Sequence, residues 1–359
     1  MTPIADIRAE ALRLRALFEQ TGAQVLETPI LQPAETLLDL YGEDIRARAY
    51  VTQDPLRGEQ MLRPDFTVPV VQMHMAHGAE PARYTYSGEV FRRQEDDADR
   101  ASEYVQVGYE VFDRADPAAA DAEVFALIAG ALEPQNLRAA TGDMGILLAA
   151  VKGLKASERR RAALLRHIWR PRRFRALLDR FSGRTPLPAG RAALLSGKIA
   201  TQAPMIGLRS AKEIAARVSW LREDAAEPDL PQAQVDLLDA ILQVRENCPN
   251  ALERLRDIAV DMPAIADAVE RLSDRIDALA AHGIDVEKLD FEGSYGRTQM
   301  EYYDGFVFGF YAEARPDFPP VATGGRYDAL TRRLGQGAEI PAVGGVIRPE
   351  LLLELGGAA

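Results

Sequence analysis

"YSGEVFRRQEDDADRASEYVQVGYEVF", residues 86–112, decides the fold class. Two stretches in which large apolar and polar residues alternate flank the charged run "EDDADRA", the pattern of a long antiparallel hairpin with a polar loop. Alternate residues of a strand share a face, so Arg92 and Gln94 point together, as do Gln106, Gly108 and Glu110. Polar groups repeated on one face can line a ligand pocket. A half-exposed antiparallel sheet gives the same alternation.

Upstream, Ile7, Ala11, Leu14 and Phe18 share one face of a helix over 5–20, with Thr2 as N-cap, Pro3 in the first turn and Gly22 past the end. A short strand in "AQVLETP", a helix around "PAETLLDLYG" and paired strands in "RAYVTQD" and "QMLRPD" follow. "TVPVVQMHMAHG" reads as a helix with Thr67 near its start. Downstream of the hairpin, Pro117 opens a further helix. From about Gly142 to His282, Ala, Leu and Arg dominate and helical periodicity recurs, as in "SAKEIAARVSWLRED", "QAQVDLLDAILQVREN" and "PAIADAVERLSDRIDALAAHG". Strands return at "VEKLDFE", "MEYYDGFVFGFYAEA" and "AVGGVI", with a helix in "GRYDALTRRLG" between the last two. The expected class is α+β: an antiparallel sheet flanked by helices, built from residues 1–140 and 285–359, with a mainly helical insertion over 141–284.

At 359 residues, 47% of them hydrophobic and 27% charged, the chain has room for two or three cores. No apolar run approaches the roughly 18 residues of a membrane helix, and the N-terminus lacks the apolar core of a signal peptide. Cys248 is the only cysteine, which excludes intramolecular disulfides and cysteine-cluster metal sites. A cytoplasmic setting, no cofactor and no metal are the expectations. The net charge of −11 argues against a surface devoted to nucleic acid. One segment dissents: "RRRAALLRHIWRPRRFRALLDRFSGR", residues 159–184, holds ten arginines. It reads either as a solvated helical face or as a contact surface for an acidic partner or polyanion.

Three further stretches carry chemistry. "MLRPDFTVPVVQMH" sets Asp65 and Thr67 where a helix begins, so a carboxylate beside free N–H groups can take an ammonium group, or Asp65 can simply cap the helix. "GRTQMEYYDGFVFGFYAEA" brings Tyr302, Tyr303 and Asp304 to the start of a strand. In "TGGRYDALTRRLGQGAEIPAVGGVI", Gly324 and Gly325 either admit the close approach of a ligand or make the turn into a helix.

In this order the four pieces resemble the catalytic core of histidyl-tRNA synthetase and its relatives, a class II aminoacyl-tRNA synthetase fold. "ETP", ending at Pro29, sits at the motif 1 proline. "FRRQEDDADRASEYVQVGYEVF" is similar to motif 2, from Arg92 to Gln106 and Glu110. "GGRYDAL" and "PAVGGVI" resemble the start of motif 3. "LRPDFTVP" and "EYYDGFVF" resemble the segments specific to the histidyl branch. The resemblance spans residues 1 to about 140 and 285 to 359. It implies a histidine pocket made by Asp65, Thr67, Arg92, Gln106, Glu110, Tyr302 and Tyr303.

The departures from the pattern bear on function. Where the family has Arg-Gly-Leu-Asp before its tyrosine pair, this chain has Thr298-Gln299-Met300-Glu301, with Arg297 one place out of register. Where motif 3 has Gly-Leu-Glu-Arg, this chain has Arg348-Pro349-Glu350-Leu351, and Arg348 stands three residues early for the ATP-binding role. Gln94 replaces a glutamate. Removing one preorganised electrostatic group typically lowers a rate by about 10²–10³. With the sequence ending at Ala359, the resemblance also implies a core without an anticodon-binding domain.

A retained amino-acid pocket beside a damaged ATP site is the profile of the regulatory subunits of ATP phosphoribosyltransferase. That resemblance implies a chain without catalysis of its own that activates a short catalytic subunit and contributes to feedback inhibition by histidine. It also implies a synthetase-like dimer within a hetero-octamer, with neither tRNA nor a membrane as partner. The alternative is a truncated synthetase-like ligase that adenylates an amino acid to modify a protein or RNA.

Overall fold

The computed structural model describes residues 2–35, 47–94, 100–197, 206–298 and 301–356. The helix expected around "PAETLLDLYG" falls mostly outside these residues, as do the acidic hairpin tip at 95–99 and Gln299 and Met300.

The hairpin forms from strands Ala82–Phe91 and Glu103–Phe112, paired antiparallel with Tyr84 opposite Glu110 and Gly88 opposite Gln106. It belongs to a nine-stranded sheet. In order across the sheet the strands are Gln24–Val25, Ala82–Phe91, Glu103–Phe112, Ala342–Ile347, Ala322–Arg326, Phe306–Tyr311, Arg138–Asp143, Asp290–Glu292 and Arg245–Asn247. Two of these contacts are parallel, Gln24–Val25 against the hairpin and Arg138–Asp143 against Asp290–Glu292. The remaining six are antiparallel. The "RAYVTQD" and "QMLRPD" strands pair as Val51–Asp54 and Gly58–Leu62, and Leu31–Pro33 joins them in a separate three-stranded sheet.

Period-2 alternation sorts the large sheet into two faces. On one, Phe306, Phe308 and Phe310 surround Phe125 of the helix Pro117–Leu132, with ring centroids 5.3–6.2 Å apart. The helix Ile4–Glu19 lies on the same side. It buries Ile7, Ala11, Leu14 and Phe18, the face expected from their spacing, with Phe18 5.5 Å from Tyr109. Its N-cap is Pro3 rather than Thr2, because the Pro3 carbonyl already accepts the N–H groups of Asp6 and Ile7. The other face of the sheet carries Gln106, Glu110, Gly325 and Gly344.

Among the described residues, seven helices of nine residues or more dominate the segment between the strands at Arg138 and Asp290: Met144–Lys152, Glu158–Arg166, Pro171–Phe181, Ala211–Ala226, Gln232–Leu242, Cys248–Asp261 and Ala266–Ala281. The strand Arg245–Asn247 interrupts them and pairs with Asp290–Glu292 at the sheet edge. The helix Cys248–Asp261 was absent from the expectation. Asn247 caps it by accepting the Asn250 N–H, and Pro249 occupies its first turn.

The arginine run is divided between ion pairs within the chain and exposed positions. Seven of its ten members are spent inside the molecule: Arg159 on Glu223, Arg160 on Asp224 and Glu227, Arg161 on Glu158, Arg170 on Glu301, Arg175 on Asp239, Arg180 on Asp224 and Arg184 on Asp236. Arg160 also donates to the carbonyls of Asp224 and Pro228. Five of these, Arg159, Arg160, Arg175, Arg180 and Arg184, tie the segment from Glu158 to Arg184 to the helices Ala211–Ala226 and Gln232–Leu242, whereas Arg161 pairs within its own helix and Arg170 reaches Glu301. Arg166, Arg172 and Arg173 are exposed and have no acidic partner among the described residues. A second ionic knot joins the helical segment to the sheet. Arg275 is buried between Asp121 (3.2 Å) and Asp143 (2.5 Å), and Asp121 also receives Arg326 at 2.7 Å.

Candidate functional site

Glu110 is 1% exposed at the centre of the open face. Three hydroxyls donate to its carboxylate: Thr67 (3.1 Å) and Tyr86 (2.8 Å) to Oε1, and Tyr327 (2.6 Å) to Oε2. Thr67 reaches it because the helix Thr67–His77 starts beside the hairpin, and Tyr86 because it shares a face with Glu110's cross-strand partner Tyr84. Burial and the neighbouring Asp65 push the Glu110 carboxyl up to about 7, and the hydroxyl donors oppose that rise.

Asp65 is also buried. It accepts the Tyr302 hydroxyl at 3.4 Å and the Val68 N–H at 3.5 Å. The contact with Val68 is the capping role open to it from sequence, and the contact with Tyr302 ties it to the pocket. Tyr302 and Tyr303 are buried, with ring centroids 5.0 Å apart. A Cβ on Gly325 would meet the Tyr303 ring at 2.8 Å, so Gly325 serves close approach rather than a turn. It lies inside the strand Ala322–Arg326, so of the two roles open to the glycine pair the turn is not the one found. Tyr302–Asp304 precede their strand rather than start it, since pairing runs only over Phe306–Tyr311. The Asp304 carboxylate instead accepts the N–H groups of Asp328 (2.9 Å) and Ala329 (2.7 Å). Burial, with Asp328 nearby, pushes it up to about 7.

Gln106 is 1% exposed, and its Oε1 has no hydrogen-bond partner among the described residues. Together Asp65, Glu110 and Gln106 place three acceptor groups in a buried region, a set suited to a ligand rich in N–H donors.

Arg92 stands at the edge of this acceptor set, beside Asp65's neighbour Pro64. Its Nε donates to the Pro64 carbonyl at 2.7 Å, and it lines an adjoining cavity of about 500 Å³ with Gln94, Arg48, Arg100, Tyr104, Arg348 and Leu351. Arg348, set aside on its sequence position, therefore faces the same cavity as Arg92. Burial, with Arg92 and Arg100 nearby, lowers its pKa, and it donates to the Pro320 carbonyl. The helix Pro349–Gly356 contributes Glu350, Leu351 and Glu354 to the wall, but no cation. Arg297 is directed elsewhere: it is 6% exposed, donates from Nε to the Ile168 carbonyl (2.9 Å), and stacks 4.7 Å over Phe174.

Five of the seven expected residues, Asp65, Thr67, Glu110, Tyr302 and Tyr303, thus gather around Asp65 and Glu110, while Gln106 lies four residues along the strand from Glu110 on the same sheet face. Tyr86 and Tyr327 were missed from sequence. Tyr86 shares the strand face that includes Gly88, opposite Gln106, and Tyr327 lies within the quoted "GGRYDAL", so both signals were present.

The histidyl-tRNA synthetase family description matches residues 4–218 and 198–352. An ATP phosphoribosyltransferase regulatory subunit of Brucella anthropi is 32% identical over 354 residues, covering 92% of this chain and 93% of that protein. The Brucella canis protein of the same name is 32% identical over 366 residues, covering 96% of each. Among solved structures, a regulatory subunit/histidyl-tRNA synthetase from Bacillus halodurans superimposes with a TM-score of 0.71 at 22% identity, covering 99% of this chain and 80% of that one. The histidyl-tRNA synthetase of Nostoc gives 0.63 at 18% identity, covering 98% and 72%. At these identities the structural likeness establishes the class II synthetase-like fold.

Proposed function

This chain belongs to the ATP phosphoribosyltransferase regulatory subunits, and from that premise we propose that its Asp65–Glu110 pocket binds free histidine and modulates a short catalytic subunit. The observation that carries the ligand is the buried Gln106 Oε1 without a donor among the described residues, on the same sheet face as the buried Glu110 carboxylate. The ammonium and imidazole N–H groups of histidine supply the missing donors, and Glu110 and Asp65 balance its positive charge. Arg92, at the edge of the pocket, takes the ligand carboxylate. Tyr302 and Tyr303 close over the site.

In this reading the chain performs no chemistry. It activates its partner when empty and restrains it when histidine is bound, which requires the ligand to favour one of two conformations. Self-association as a synthetase-like dimer, assembly into a hetero-octamer and a cytoplasmic setting complete the proposal. No helix among the described residues is long and apolar enough to cross a membrane.

Calorimetry on the isolated chain tests the pocket. Histidine should bind, and Glu110→Ala and Gln106→Ala should each weaken it at least tenfold. Unchanged binding in both would move the site elsewhere. The ligase alternative draws on one observation, the four arginines around the 500 Å³ cavity. Against it stand Leu351 in the wall of that cavity and Arg297 turned into the helical segment. Robust histidine-dependent exchange of pyrophosphate into ATP by the purified chain would overturn the regulatory reading.

A further inference from the structure

Arg297 and Glu301 stand just ahead of Tyr302 and Tyr303, and one corner of the helical segment holds both. The corner is the bend between the helices Glu158–Arg166 and Pro171–Phe181. Its Ile168 carbonyl accepts Arg297 Nε at 2.9 Å, its Phe174 ring lies under the Arg297 guanidinium, and its Arg170 pairs with Glu301 at 3.3 Å. Glu301 is next in sequence to Tyr302, whose hydroxyl reaches Asp65. An unbroken run of contacts therefore joins the acceptor pocket to the corner.

The corner does not end that run. Arg160 and Arg175 bind the same two helices, and Arg184 the turn after them, to Asp224, Asp239 and Asp236 on the helices Ala211–Ala226 and Gln232–Leu242. A shift at the corner is thus carried by four helices together rather than absorbed by one side chain.

We propose that Arg297 and Arg170 are positioning residues that transmit occupancy of the Asp65–Glu110 pocket to the helical segment. The inference rests on the histidine reading above. A ligand that draws Tyr302 and Tyr303 onto itself pulls on Glu301 and, through Arg170, on the corner that Arg297 grips. Coupling between binding equilibria is reciprocal, so loosening the corner must change histidine affinity by the same factor by which histidine changes the corner.

The chain contains its own reporter. Its two tryptophans are Trp169 and Trp220, and Trp169 sits in the corner between Ile168 and Arg170. Its buried Nε1 has no partner among the described residues. Trp220 is 46% exposed on a different helix. In a Trp220→Phe chain, histidine titration should change Trp169 emission with the midpoint found by calorimetry. Arg297→Met should remove most of that change and shift affinity about tenfold, a coupling of the usual size. Arg297→Lys, which keeps a donor for the Ile168 carbonyl, should restore much of both, although a merely structural defect would not be rescued in affinity and emission together. If Arg297→Met does not fold, Glu301→Gln makes the same test through the Arg170 contact. Histidine heat without a change in Trp169 emission, or wild-type affinity in these variants, would overturn the relay and leave the histidine reading standing. No heat at all would overturn both.

Discussion

Gly344 stands directly opposite Glu110 in the ladder between Ala342–Ile347 and Glu103–Phe112, and a Cβ at Gly344 would lie 1.4 Å from Glu110 Oε2. The flexible carboxylate would have to leave, but the Tyr109 carbonyl, 3.0 Å from the same point, cannot move without distorting the sheet. Gly344→Ala is therefore expected to lower stability by about 1–3 kcal/mol, as overpacking does, and to abolish histidine binding by displacing Glu110 from Tyr327. Denaturant unfolding and calorimetry check this. Wild-type values for both would show that the carboxylate has another resting place.

Glu110 also gives a pH signature. Its carboxyl is raised to about 7 in the folded chain by burial and by Asp65, whereas an unfolded glutamate titrates near 4.3. A raised folded value means the proton is held more tightly by the native state. Stability from this group is present in full below about 4.3 and is lost as pH rises through 7. The predicted loss is about 4 kcal/mol at most, and Asp304, also raised to about 7, adds to it in the same direction. Glu110→Gln should flatten the pH 5–8 part of the stability curve. A cationic ligand needs Glu110 ionised, so wild-type binding near pH 6.5 should release a proton from the protein, seen as a buffer-dependent heat that Glu110→Gln lacks.

The hairpin, the polar face of Gln106 and Glu110, and the helix at Thr67 were legible because period-2 and period-3.6 burial write themselves into local sequence. The failures have physical causes too. The glycine pair of "ATGGR" left close approach and a turn both open, because which large side chain comes near Gly325 is set by Tyr303 from a different segment. Arg348 was set aside on its spacing, yet cavities are lined in space, and the strand Ala342–Ile347 ends where Arg348 can face Arg92. The ion pairs of the arginine run were not legible because their acidic partners lie up to 131 residues away, beyond any local pattern.

The knot of Arg275 with Asp121 and Asp143 is buried on all sides. Removing one partner of such a group leaves uncompensated charge, and Arg275→Ala should lower stability by about 3–5 kcal/mol. The triple change Arg275→Met, Asp121→Leu, Asp143→Leu removes the charges as well, but it also deprives Arg326 of Asp121. It should therefore recover only part of the loss. Full recovery in thermal unfolding would mean that Arg326 is satisfied by Asp328 alone.

The arginine run can be divided by function. Seven members hold the helical segment together, so wholesale replacement would report on folding alone. Arg160, buried and bonded to Asp224, Glu227 and two carbonyls, should on replacement by Ala destabilise the chain strongly. The exposed Arg166, Arg172 and Arg173 should not: changing all three to Ala is expected to alter stability by no more than about 0.5 kcal/mol per site. Arg172 and Arg173 sit in the first turn of Pro171–Phe181, where the helix dipole disfavours cations, so their removal should if anything stabilise the helix. If these three arginines meet an acidic face of the catalytic subunit, the triple variant should associate more weakly, and the salt dependence of association should shrink with it. Co-elution with the catalytic subunit, followed at rising salt, decides the matter. An unchanged profile would exclude this corner from the interface.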